Sequence, residues 1–517
     1  MTREPSRILI RGGRVYDHNG DIHQPPVRDI FIEGNRISSV TTPDADLEMK
    51  STLVASARRG EPDAPVVIEA HDHLVIPGLI NAHYHSYDVL QKGMLEDMPF
   101  DVWALHSQPV YFGKRSKAEL RARVLVGALE ALRNGITTIQ DMNTLVPRDE
   151  DTLDTILAAY AEVGIRVVFS IAMRDLAALD IAPFLPPDVP PEVLAIITGS
   201  PNDPATEIDF VDRQIARRPA GPRFSWAVSP SGPQRSSRAL LDGVCDIAGR
   251  HGLPIFTHVY ETKAQTAKAR EIYGEDGGSM IRYLERVGLF KHRTTIAHGV
   301  WLMPDEMEIL TGCGVSLAHN PISNLKLKSG IAPMRCVMDA GINVALGCDN
   351  CSCGDCQNLF QAMKMLCLLA GVTDPNPTGV HAADAIQAAT IGGAKAAGLE
   401  HEIGRIAPGF RADLALLDLS DVAYLPFNSA ARQLVYAECG RGVRTTIVDG
   451  RIIMRDGRIL SVDEATLRAD LDDLMPAFRR HYAAVESANR PAIPYLLAAN
   501  RQLDQQDVGL NRLLRDR

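Results

Sequence analysis

The residues best suited to chemistry open with His83 and His85, in the run Pro77-Gly78-Leu79-Ile80-Asn81-Ala82-His83-Tyr84-His85-Ser86. In an extended chain, residues i and i+2 point to one side, so both imidazoles can reach a single ion. A lone His-x-His also occurs as two surface or packing histidines, so partners elsewhere must decide. Such partners recur where short apolar runs end. His258 ends Ile255-Phe256-Thr257-His258 with Glu261 just beyond, His298 ends Thr294-Thr295-Ile296-Ala297-His298, and Asp349 ends Val344-Ala345-Leu346-Gly347-Cys348-Asp349. Brought together, His83, His85, His258 and Asp349 supply three nitrogens and one carboxylate oxygen. That donor set suits one divalent ion per chain, Zn²⁺ or Fe²⁺, with a position open for water. Glu261 and His298 are then the acid–base groups beside that water. Singly, a strand-end histidine is more often a satisfied core residue, but six chemistry-bearing residues at or just past such ends make coincidence a poor account.

The elements that must position these residues follow a repeating pattern. After the run ending at His85, strand-like segments recur at residues 136–141, 166–171, 224–228, 255–258, 294–298, 315–319 and 344–349, separated by amphipathic stretches such as 117–134 and 151–163. Eight strands in repeated strand–helix units predict an α/β chain closed as a parallel (β/α)₈ barrel, with its chemistry at the strand C-terminal ends. Short alternating strands precede and follow this region, with hairpin signals at Gly34-Asn35 and Asp449-Gly450. The two chain ends therefore read as one small β domain, residues 1–76 with 403–460, beside a barrel over 77–402. Residues 41–65 read as an irregular polar excursion, and 461–517 as a mainly helical tail for docking or oligomer contact with no chemistry of its own.

Composition narrows the classes. A net charge of −10 without a Lys/Arg block argues against nucleic-acid or anionic-membrane partners and for a small-molecule substrate. The first residues lack the apolar core of a secretory signal, and no apolar run reaches membrane-spanning length. The nine cysteines, an odd number in a long chain, fit a reducing cytoplasm better than a disulfide scaffold. Loops after the strands offer Gln91, Trp103, Tyr260 and Asn324 as substrate contacts, with Tyr87, Gln140 and Trp301 as further candidates. Gln91 and Asn324 could bond ring nitrogens or carbonyls, and Trp103 could cover a flat ring or simply pack between elements.

Taken together, the segment 77–86, Gly135-Ile136-Thr137-Thr138, His258-x-x-Glu261, Ala297-His298-Gly299-Val300-Trp301-Leu302, His319-Asn320-Pro321-x-Ser323-Asn324-Leu325-Lys326-Leu327, Gly347-x-Asp349 and Pro408-Gly409-x-Arg411-Ala412-Asp413-Leu414 resemble the amidohydrolase superfamily. The nearest branch in motif is that of cytosine, guanine and triazine aminohydrolases and chlorohydrolases. The resemblance spans roughly residues 7–460. It implies a distorted barrel flanked by a β-sandwich from both termini, usually in a homodimer. It also implies that one metal is held by His83, His85, His258 and Asp349, and that Glu261 and His298 shuttle protons. A metal hydroxide would attack a ring carbon, Asp349 or His298 would help deprotonate the water, and Glu261 would protonate the ring nitrogen and then the departing amine.

Binuclear relatives bridge their metals with a carboxylated lysine or a glutamate; no lysine lies between Lys117 and Lys263, which favours a single ion. Departures from the pattern concern the substrate more than the chemistry. Ser229-Pro230-Ser231-Gly232-Pro233-Gln234 replaces a frequent His-Ala-Pro, and Cys348 and Asn350 flank Asp349. A second zinc on Cys351, Cys353 and Cys356 would lack an obvious fourth ligand, so these thiols read as buried or pocket-lining. The expected reaction is hydrolytic deamination of a nitrogen heterocycle of purine, pyrimidine, pterin or triazine type. The alternatives are hydrolysis of an exocyclic amide, urea, carbamate or C–halogen bond at the same centre and, more remotely, a catalytically inactive scaffold.

Overall fold

The computed structural model describes residues 7–59, 61, 64–177, 180–199, 201–373 and 379–513. Parallel strands form its centre. The strands Leu79–His85, Ile136–Asn143 and Arg166–Met173 are buried at every position, as strands covered on both faces must be. They pair in that order, and Arg166–Met173 pairs onward with Phe224–Trp226 and Ser229–Pro230. A second parallel sheet runs Ile255–Val259, Thr294–His298, Ser316–His319, Asn343–Leu346. Two short links stitch the sheets together. One is a bridge between Val228 and Ile255; the other is Asp349–Asn350, which follows the last strand and pairs with Tyr84 and His85.

Helices cover these strands because local signals start and stop them. Ser116 caps Lys117–Arg133 by accepting from the Glu119 amide, and Asp149 caps Glu150–Val163 through Thr152. The second helix ends on Gly164 at φ +83°, a left-handed position that glycine takes without a Cβ clash.

Strands from both chain ends join in one nine-stranded sheet. Arg7–Val15 pairs antiparallel with Val27–Glu33 and parallel with His73–Pro77, which pairs antiparallel with Leu414–Asp418 from the other end. Both predicted hairpins are present, at Val27–Glu33 with Arg36–Thr41 and at Val443–Val448 with Arg451–Arg455. Residues 41–65 are not irregular throughout: Leu47–Arg59 is a helix. No Gly or Pro interrupts residues 44–59, and the helix is mostly exposed, so it lacks the apolar stripe that reveals a helix in sequence. Its one buried residue, Lys50, pairs with Asp29 at 2.7 Å.

The junction between terminal sheet and central strands positions the site. His73–Pro77 runs through Gly78 straight into Leu79–His85, so one continuous segment serves both layers. Arg166, at the start of its strand, donates to both oxygens of Asp413 at 2.8 and 2.9 Å and to Asp449 at 3.2 Å, all three side chains being buried. Removing one partner of such a buried cluster leaves uncompensated carboxylates. Arg166→Met is therefore expected to lower unfolding free energy by about 3–5 kcal/mol, read as a fall in the urea midpoint; an unchanged midpoint would show that the junction does not depend on this clamp.

Candidate metal centre

The C-terminal ends of the parallel strands bring together all six residues singled out above. His83 and His85 end the first strand, and Asp349 is hydrogen-bonded alongside in the short bridge to Tyr84. Asp349 Oδ1 lies 3.6 Å from His83 Nε2 and 3.5 Å from His85 Nε2. His258 Nε2 lies 3.4 Å from His85 Nε2. Asp349 at φ +59° and His298 at φ +74° both occupy the left-handed region, which costs a non-glycine residue energy and turns these side chains inward.

The donor set fits a divalent cation for a reason visible in the hydrogen bonds. His85 Nδ1 meets the Met142 carbonyl at 2.6 Å, and His258 Nδ1 meets the Ser231 carbonyl at 2.7 Å. A carbonyl only accepts, so each Nδ1 carries a proton, and a ring with no second proton directs an Nε2 lone pair inward. Two lone pairs facing each other at 3.4 Å cannot bond each other. His83 is fully buried, and neither of its ring nitrogens has a hydrogen-bond partner. Burial and the neighbouring histidines push the pKa values of His83 and His258 well below the usual range, which keeps the lone pairs available. Burial works against the charge of Asp349, yet His298, His85 and the Ser323 hydroxyl, which donates at 2.6 Å, bring its pKa below the usual carboxylate value. Neutral nitrogens converge with a carboxylate, as a metal ligand set requires.

Glu261 and His298 flank this set. His298 Nε2 lies 3.9 Å from both Glu261 Oε1 and Asp349 Oδ2, and its Nδ1 donates to Asn324 Oδ1 at 2.8 Å. Burial pushes the pKa of Glu261 up to about 7, with Asp349 raising it and His298 and Arg235 opposing. Such a carboxyl exchanges a proton readily near neutrality.

A small inner chamber of about 40 Å³ sits over these groups, lined by His85, His258, Glu261, His298 and Asp349 together with Tyr87, Phe100 and Trp103. It shares Phe100, Gln108, Thr144, Ala172, Ser231 and Arg235 with an outer chamber of about 370 Å³. Of the expected substrate contacts, Trp103 lines the inner chamber and Asn324 reaches it through His298. Gln91 and Tyr260 line neither chamber. Gln91 accepts from Ser107 at 2.7 Å, while the Tyr260 hydroxyl donates to Glu306 at 2.8 Å and receives the Met280 amide at 2.8 Å. Tyr260 adopts φ +54°, and its ring packs into the main core instead. Gln140 and Trp301 likewise bond inward, to Ser170 and the Ser329 carbonyl.

Sequence reasoning missed Arg235 and Asp88. Arg235 is held by Asp180 at 2.8 Å and walls both chambers. Asp88 accepts the backbone amides of Cys351 and Ser352 and the Ser352 hydroxyl, and Ser352 Oγ in turn receives the Trp103 indole N–H at 2.7 Å. This chain ties the segment after His85 to the segment after Asp349 and to the aromatic wall. No local motif marks either residue, since each acts through partners far away in sequence. Cys351 and Cys353 are buried, Cys353 against Trp103 and Leu327, and no cysteine joins a metal-ligand group among the described residues.

Gly347 lies where a Cβ would sit 2.7 Å from His83 Cβ and would collide with the Asn320 amide. Gly347→Ala is thus expected to displace His83 and lower bound metal at least several-fold, by elemental analysis, with near-unchanged far-ultraviolet circular dichroism. Full metal content in that variant would contradict the close approach.

Comparison with known proteins identifies the family. The sequence profile of the amidohydrolase family matches residues 74–453. The chain is 31% identical over 452 residues to the 5-methylthioadenosine/S-adenosylhomocysteine deaminase of Thermococcus onnurineus, covering 87% of this chain and 94% of that one. It is 31% identical over 462 residues to the 5'-deoxyadenosine deaminase of Methanothermobacter thermautotrophicus, covering 88% and 95%. Among solved structures, an adenosine deaminase from Xanthomonas campestris with bound zinc superimposes with a TM-score of 0.76 at 25% identity, over 92% of this chain and 99% of that one. The chain belongs to the amidohydrolase family and is a hydrolase acting on C–N bonds.

Proposed function

We propose that this protein is a mononuclear zinc enzyme that hydrolytically deaminates an adenine-type nucleoside, with His83, His85, His258 and Asp349 as the metal ligands. The observation that carries this reading is the convergence of the inward-facing Nε2 atoms of His85 and His258 with the unpartnered nitrogens of His83 and the Asp349 carboxylate, under a chamber that also holds Glu261 and His298. The names of the relatives and the zinc in the adenosine deaminase support the substrate class and the ion. In the scaffold we favour, the parallel strands close as a distorted (β/α)₈ barrel over 77–402, and residues 1–76 with 403–460 fold as a β-sandwich. The cluster of Ile8, Ile10, Ile30, Ile32, Leu414 and Leu416 supports an apolar interior for that sandwich. The nine thiols, none paired among the described residues, support a reducing cytoplasm.

When bound, the ion supplies Lewis acidity that lowers the pKa of a coordinated water toward ~7. The chain's own groups do the rest. With Nδ1–H directed at Asn324, the remaining ring nitrogen of His298, Nε2, faces Glu261 and Asp349 and can exchange a proton with water. Asp349 Oδ2, held by Ser323, lies on the same side. Glu261, with its pKa raised to about 7, is suited to deliver a proton to the ring nitrogen and then to the amine. Overall, a C–O bond forms at the ring carbon, the C–N bond breaks, and ammonia departs. Trp103 and Phe100 offer flat apolar faces for the ring. The outer chamber, with Arg148, Arg174, Asn202 and Glu207 in its walls, offers polar groups for a sugar and its substituent.

Glu261→Gln tests the proton step. It is expected to retain bound metal while ammonia release from 5'-deoxyadenosine or S-adenosylhomocysteine falls by about 10²–10⁴-fold; turnover at the parent rate would remove Glu261 from the reaction. A parallel screen of pyrimidines, pterins and triazines should show lower kcat/KM than adenine nucleosides, and the reverse ranking would overturn the substrate class.

A further inference from the structure

The family match ends at residue 453, yet the chain beyond it runs across the region that walls the site. Two helices, Glu464–Asn489 and Ile493–Asp504, carry most of this segment. Buried Asn489 donates from Nδ2 to the Leu105 carbonyl at 2.7 Å, and Asn500 lies near enough to Asp101 to favour its charged form against the burial that raises its pKa. Both partners lie on the helix Phe100–Ser107, which contributes Phe100 and Trp103 to the inner chamber and Phe100, Asp101, Ala104 and Leu105 to the outer one. Ala492, Leu496, Ala499 and Leu503 share a buried apolar cluster with Val102, Leu105 and Ala264.

The same segment grips the other wall of the outer chamber: Val193 and Ile197 of the helix Pro191–Thr198 belong to that apolar cluster, and Ile197 and Thr198 line the chamber. It is also anchored below the metal centre. Lys263 Nζ donates to the Asp504 carbonyl at 3.0 Å, and Arg270 donates to the carbonyls of Asp507 and Val508 at 3.1 and 2.7 Å. Lys263 and Arg270 belong to the helix Lys263–Ile272, which begins two residues after Glu261. Further along, the Ile331 amide donates to the Arg512 carbonyl at 2.9 Å.

The helix Phe100–Ser107 needs such support. It has eight residues, follows Pro99 and has no side-chain cap at its N-terminus. A helix this short is marginal by itself, so its position is set by what packs on it.

We infer that the C-terminal segment is a strap that determines specificity for the substituent on the substrate's sugar, by fixing the spacing between the two walls of the outer chamber. No described residue of the strap lines either chamber, so Asn489 and Asn500 are positioning residues acting through Phe100–Ser107. This rests on the deaminase reading for its substrate but not for its structural content. Loosening the strap widens the outer chamber and leaves the six residues at the metal centre in place, with Trp103 still held over them by Ser352 at 2.7 Å. The binding of long substituents should suffer, and the chemical step should not.

The test uses full-length metal-loaded protein with Asn489→Ala and, as a less buried second variant, Asn500→Ala. Hydrogen exchange of the amides in 100–107 should accelerate about tenfold, the loss of one buried hydrogen bond, with metal content unchanged. KM for S-adenosylhomocysteine, with its long substituent, should rise about tenfold, while KM for 5'-deoxyadenosine and both kcat values stay within about twofold of the parent. Unchanged exchange in both variants, or equal KM increases for the two nucleosides, would overturn the strap. If the parent protein releases ammonia from neither nucleoside, the deaminase reading fails, and exchange in 100–107 alone decides whether the strap holds that helix.

Discussion

The centre depends on two short hydrogen bonds that never touch substrate. His85 and His258 each direct Nδ1–H to a backbone carbonyl, of Met142 and Ser231, and each thereby keeps Nε2 free for an ion and aimed at the other. Without a cation this arrangement places lone pairs against one another beside a buried carboxylate. With one, every donor gains a partner. The carbonyls come from the neighbouring parallel strand and the loop after Ser229–Pro230, so the tautomers, and with them the proposed ligand set, are a product of strand order.

The rest of the fold keeps that geometry. The strand bearing both histidines is a direct extension of the terminal sheet, and Arg166 clamps the two layers through Asp413 and Asp449 at the opposite ends of the strands. Gly347 lets the last strand approach His83 more closely than a side chain would permit. Asp88, through Ser352, connects the segments after His85 and Asp349 to Trp103, so the chamber's aromatic wall and its histidine end are one hydrogen-bonded unit. Beyond it, the C-terminal helices brace the same wall from outside.

Much of this was legible in the sequence because it is local or periodic. The i, i+2 spacing of His83 and His85 fixes their common side. The recurrence of polar residues at the ends of apolar runs marks His258, His298 and Asp349 without any structure. The hairpins at Gly34-Asn35 and Asp449-Gly450 follow from turn chemistry. What escaped is what depends on distant partners or on side-chain direction. Tyr260 stands one residue before Glu261, yet its left-handed backbone turns it to Glu306; Gln91 is drawn to Ser107. The Leu47–Arg59 helix escaped because it presents no apolar stripe, and Arg235 and Asp88 because their partners lie far along the chain. The tail after residue 460 read as helical but without a bearing on chemistry, since its contacts with Phe100–Ser107 leave no periodic mark beyond an ordinary amphipathic helix.

We propose one ion, held by His83, His85, His258 and Asp349. Anomalous diffraction from crystals of the purified protein at the zinc edge tests it most directly. A single strong peak per chain is expected, about 2.0–2.2 Å from three histidine nitrogens and an Asp349 oxygen. A pair of peaks sharing the site, or a peak at Cys351, Cys353 and Cys356 with none between the histidines, would contradict it.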